Sequence, residues 1–126
     1  MILALRAFLV LVAVAHAAAL ANFAFNTDAL RLDYPILCNY LISFSVIGHV
    51  ASLVATVLLW RDQVLGVAMI TTAVAGLLVI NVYIGAAWTY TGLGPISLAI
   101  LLALIWPLRG RYRSASAEPA DAPATA

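Results

Sequence analysis

Residues 35–60 read PILCNYLISFSVIGHVASLVATVLLW and contain no Asp, Glu, Lys or Arg. As a helix rising about 1.5 Å per residue, this stretch is roughly 39 Å long, which exceeds the ~30 Å hydrocarbon core of a bilayer. Near its middle lies His49, one of 2 histidines in the chain. Cys38, Ser45, Gly48, Ser52 and Thr56 recur around it at helical spacing, within about a third of the helix circumference. An apolar segment with such a polar stripe is expected to span a membrane and to turn the stripe away from lipid.

The rest of the composition agrees. Hydrophobic residues make up 66% of the 126-residue chain and charged residues 9%, against ~45–50% and ~25% in soluble domains. A chain this short leaves much of its surface exposed on folding, so lipid is expected to supply part of its solvent. Its length suits one domain. The net charge of +1 gives no field for nucleic acid. Cys38, the single cysteine, cannot form an internal disulfide. Lysine is absent, consistent with a GC-rich bacterial genome, so the expected location is the bacterial plasma membrane.

Working outward, residues 3–25 form a first apolar run broken by Arg6 and His16. A cleaved signal peptide fits the same residues, with Arg6 as its charged region and small residues near position 17 or 21 as its cleavage site. Apolar sequence continues to Phe25, however, long enough for a membrane span, and a span is the expectation adopted. The polar stretch 26–34 (NTDALRLDY) then turns the chain, and Pro35 takes the first helical position, where its missing N–H costs nothing. Arg61-Asp62-Gln63 makes a tight turn into a third span over 64–90. TGLGP at 91–95 reads as a glycine/proline turn, and the fourth span covers 92–108. The last residues, 113–126, are small, polar and proline-bearing, and are expected to form a disordered cytoplasmic tail after a domain of residues 1–112.

With four spans, Arg6, Arg61, Arg109, Arg111 and Arg113 share one face and only Arg31 lies opposite. That bias predicts both termini in the cytoplasm. The expected fold class is therefore all-α: an integral membrane four-helix bundle, N-in and C-in.

Small residues repeat at four-residue spacing in the first span (Ala13, Ala17, Ala21) and in the third (Ala68, Thr72, Gly76), a pattern that lets helix backbones approach closely. Together with Gly48 and Ser52 they mark helix-packing or partner-contact faces. Asn81 and Trp88 share another face of the third span, suited to meeting a helix of this chain or of a partner. His16 and His49 lie on antiparallel neighbours, about 12 and 20 Å from the outer boundary. Ionisable residues inside a membrane are functional candidates. Two imidazoles from facing helices can ligate a b-type haem, and one can ligate a chlorophyll-type pigment. They can also simply be satisfied by a serine hydroxyl or a carbonyl on a neighbouring helix, with Ser45 and Ser52 flanking His49, or relay a proton. There is no carboxylate pair, no Ser/His/Asp set and no cysteine cluster in the spans, so no enzyme is expected. The expected role is an accessory or scaffolding subunit that contacts lipid and other membrane subunits or itself. The alternative is an electron-transfer subunit whose cofactor is bound by His16 and His49.

Overall fold

The computed structural model describes residues 1–112, apart from the side chains of residues 88–90. The tail at 113–126 and the Trp88 side chain lie outside the described residues. Within them the chain is helical, with no strand: α1 (Ile2–Phe25), α2 (Thr27–Asp33), α3 (Asn39–Trp60), α4 (Leu65–Tyr83), α5 (Trp88–Ile105) and a closing 3-10 helix, Trp106–Arg111. Four of the helical segments are long and apolar enough to cross a membrane, and α2 is the short one between the first two. The long helices form a closed ring of neighbours, α1 against α3, α3 against α4, α4 against α5, and α5 back against α1.

The connections differ from the sequence reading in three places. The first is 26–34, which is not simply a turn. Residues 27–33 form the helix α2, anchored by the Thr27 hydroxyl donating to the Phe23 carbonyl and by Arg31 donating to the side-chain oxygen of Asn39.

The second is Pro35, which does not open a helix. It sits second in a β-turn closed by the Leu37 N–H donating to the Tyr34 carbonyl at 2.9 Å, a position its fixed φ favours. The helix begins later, at Asn39.

The third is the last turn, which lies at 84–87 and not at 91–95. Gly85 takes φ +69° just past the end of α4. Ala86 N–H donates to the Asn81 carbonyl at 2.8 Å and Gly85 N–H to the Val82 carbonyl at 3.2 Å, the paired bonds of a Schellman cap. With the chain already reversed, TGLGP enters α5. In apolar surroundings an irregular backbone would leave its polar groups unpaired, and that cost outweighs the turn preference of Gly and Pro. Pro95 therefore stands inside a helix.

The turn at 61–64 is where the sequence places it, with Asp62 at φ 58°. It shares one end of the ring with Met1 and the 3-10 helix, here called the arginine end. There Arg6 stacks over the Trp60 ring at 5.2 Å and Arg109 over Trp106 at 5.0 Å. Arg111 pairs with Asp62 at 3.0 Å. Both partners of that pair are exposed enough for water to screen it, so it contributes little. Beside it the Tyr112 hydroxyl is buried with no hydrogen-bond partner among the described residues. Burial raises its pKa above the ordinary value, the nearby Asp62 charge raises it further, and Arg111 opposes the shift.

The packed core belongs to the same end. Leu9, Leu59, Ile70 and Leu101 are each 1% exposed and meet Leu5, Val12, Ala55, Val74 and Ile105 in one cluster. Every member lies in the half of its helix nearer the arginine end, or at the midpoint. Gly66 makes this closeness possible. A methyl group there would come 2.8 Å from the Ala55 carbonyl oxygen and 2.8 Å from Leu59, so α4 crosses α3 on a bare backbone. Away from the ring's interior the helices present aliphatic side chains outward, among them Leu11, Ile47 and Val79, all more than half exposed.

Candidate functional site

The far half of the ring is built differently. α3 starts at Asn39, so His49 is ten residues, about 15 Å, from that helix end. His16 is nine residues, about 14 Å, from the end of α1. The later start of α3 thus removes the depth difference that the sequence boundaries imply, and the two imidazoles meet. Their Nδ1 atoms are 2.8 Å apart, with ring centroids at 5.1 Å and planes tilted by 55°. One Nδ1–H donates to the other ring's bare Nδ1. The Phe23 ring packs on His49 at a centroid distance of 5.9 Å.

The neighbouring hydroxyls on α3 do not serve the histidines. Ser52 donates to the Gly48 carbonyl at 2.9 Å and Thr56 to the Ser52 carbonyl at 2.8 Å, each one turn back. The polar stripe of α3 is therefore satisfied partly within its own helix, and the histidine bond links α3 to α1.

Beside the pair is a partly open cavity of about 160 Å³. His16 on α1, His49 on α3, Asn81 on α4, and Thr91 and Ser97 on α5 contribute its polar lining, and aliphatic side chains the rest. Pro95 has no N–H to offer the Thr91 carbonyl, so the α5 ladder is interrupted beside this space. Thr91, Ser97, Gly94 and Pro95 were not legible as site residues, because Gly and Pro at 92–95 read as a turn.

Geometry limits which cofactor this arrangement can hold. Two metal–imidazole bonds of about 2.0–2.1 Å on opposite sides of an ion would hold the nitrogens about 4 Å apart. At 2.8 Å the imidazoles are bonded to each other, with no room for a metal between them. A cavity near 150 Å³ admits one benzene ring, so a macrocycle of four pyrroles does not fit in this one. As arranged, His16 and His49 do not clamp one metal ion between their Nδ1 atoms. Among the described residues no group of three or more His, Cys, Asp or Glu side chains is placed to hold a metal ion.

The remaining candidate residues divide between the interior and the outer surface. Ser52 is fully buried, and a methyl on Gly48 would come 2.9 Å from Leu77, so both pack α3 within this chain. Asn81 turns into the cavity, toward helices of its own chain. Ala13 lies in a shallow cleft between α1 and α3, and Ala17 is exposed. Thr72 and Gly76 are exposed and face away from the ring, where they line a groove of about 690 Å³ between α3 and α4 together with Gly48, Ala51 and Ala68. A methyl on Gly76 would meet nothing within 4 Å. Gly66, where α4 crosses closely over the α3 backbone, is missing from the sequence reading. Its only signal is a glycine two residues into a helix.

Comparison of the chain with protein-family models, with curated proteins and with solved structures found no match.

Proposed function

We propose that this protein is a non-catalytic accessory or scaffolding subunit of a larger membrane complex, and that it docks through the α3/α4 groove. The observation behind this reading is the groove itself. Small residues form its floor, Phe44 and Ile47 stand at its side, and none of the described residues fills it. In lipid there is no hydrophobic drive to join helices, so close backbone approach over small residues is what favours association. The occupant we assign is a transmembrane helix of another subunit. The same reading places the four long helices across the bacterial plasma membrane with both termini in the cytoplasm, following the arginine bias.

Gentle extraction should recover a complex larger than the monomer. Gly76→Leu should dissociate it while leaving the monomer folded, because a Cβ at Gly76 meets nothing within 4 Å and the longer side chain extends into the groove. A strictly monomeric protein in a native-like bilayer overturns the reading. The competing reading is cofactor binding at His16 and His49, which calls for a Soret or chlorin band in the purified protein. A colourless preparation from a host that makes the pigment removes it.

A further inference from the structure

The cavity beside the histidine pair is independent of the docking groove, since it opens inside the ring and the groove lies outside it. We propose that it binds a planar, single-ring, membrane-soluble molecule carrying oxygen on the ring, the chemistry of a quinone or phenol headgroup.

Size is the first argument. At about 160 Å³ the cavity matches the ~150 Å³ at which a protein interior takes up benzene. The lining is the second. Its walls are aliphatic, with Ile70, Val74 and Leu98 among them, and polar groups come in from all four long helices. Mostly apolar walls with a few convergent polar groups are how sites for small organic ligands are built.

The hydrogen-bonding chemistry is the third argument. For two neutral imidazoles joined Nδ1 to Nδ1, the donor ring has a bare Nε2 and the acceptor ring carries Nε2–H. Moving the shared proton, with the matching exchange at the Nε2 atoms, swaps these roles. The pair therefore presents either a donor or an acceptor without gaining net charge. Quinone carbonyls only accept, while a phenol hydroxyl also donates. Asn81 and Ser97 offer both kinds of group. Among the described residues the cavity lining contains no Asp, Glu, Lys or Arg, so a neutral ligand suits it better than an ion.

The test compares three probes of nearly equal size on the protein in lipid nanodiscs: 2,6-dimethyl-1,4-benzoquinone, 2,6-dimethylphenol and m-xylene. Cys38→Ser removes the exposed thiol that quinones alkylate. Binding is read by saturation-transfer NMR against empty nanodiscs. The oxygenated probes should bind at least about tenfold more tightly than xylene, because only they satisfy the polar groups. Ser97→Leu, which fills the cavity, should abolish saturable binding of all three, and Ser97→Ala should reduce the preference for oxygen. Equal binding of xylene would show an apolar hole and overturn the proposal. So would the absence of saturable binding, or binding unchanged by Ser97→Leu. The three-probe comparison on the cysteine-free protein decides the matter even if a cavity variant fails to fold.

Discussion

The two halves of the ring use opposite solutions to the same problem. Near the arginine end, Leu9, Leu59, Ile70 and Leu101 close the interior, and Gly66 lets α4 press onto α3. In the far half the interior holds two bonded imidazoles, an asparagine and a cavity. In water, an apolar core forms because each buried aliphatic leaves the solvent. In lipid that gain disappears, and what remains is contact density and polar pairing. The arginine end relies on the first and the far half on the second. The two halves adjoin at mid-bundle, where Val12, Ile70, Val74 and Leu101 belong to the packed core and also line the cavity.

Substitutions can break or sharpen this division, and the largest effect belongs to the packed end. Leu59→Ala should destabilise the bundle by about 2 kcal/mol, the low end for such truncations, because lipid and not water is the reference for the removed atoms. Steric-trap or SDS titration in bicelles would measure it. A loss as small as that of an outward-facing Val79→Ala would mean the arginine end is no core.

A matched pair of glycines comes next. Gly66→Ala should cost about 1–2 kcal/mol, because its methyl is driven against backbone atoms of α3. Gly76→Ala should be neutral or stabilise the helix by about 0.5–1 kcal/mol, since its methyl enters open space. If the two substitutions behave alike in the same titration, the crossing of α3 and α4 is wrong.

In the far half the expected coupling is smaller. A double-mutant cycle on His16→Leu and His49→Leu should give an interaction energy of about 1 kcal/mol, with each single variant less stable than the double. Single replacements leave an imidazole without its partner, whereas the double replacement removes both polar groups. Strict additivity would deny the bond between them.

The smallest effect is at Tyr112. Tyr112→Phe should stabilise by up to about 1 kcal/mol, because it removes a buried hydroxyl with no partner among the described residues. The folded state favours the protonated phenol, so its contribution is intact below pH about 10 and declines as pH rises above that value. The alkaline decline should be absent in Tyr112→Phe, and a pH series of unfolding titrations would show whether it is.

Much of the fold can be read without coordinates. Four apolar segments of sufficient length stand out, and so do the 61–63 turn and the pair of histidines on antiparallel neighbours. What escapes the sequence is which side of each helix faces inward. Leu5 and Leu9 are buried while Leu3 and Leu11 are exposed, yet all four are leucines, because a helix apolar enough to cross a membrane is apolar on every side. Amphipathic periodicity, which locates a core in water-soluble helices, has nothing to register here. The same reason hides the asymmetry between the halves and the role of Gly66. The misplaced last turn has a different cause. Gly92, Gly94 and Pro95 carry a stronger turn signature than Gly85, but Gly85 is the residue that adopts a left-handed conformation.

The pairing of His16 with His49 also bears on how the chain is made. It joins α1 to the next long helix in sequence, so both partners emerge from the ribosome before α4 and α5. The most polar atoms of the interior can therefore satisfy each other in a two-helix hairpin, while the rest of the ring is still being synthesised. Helices α4 and α5 then close around a pair already satisfied, and the contact of α5 with α1 completes the ring. A chain whose paired imidazoles sat on α1 and α5 would have to carry one of them unpaired through most of its synthesis.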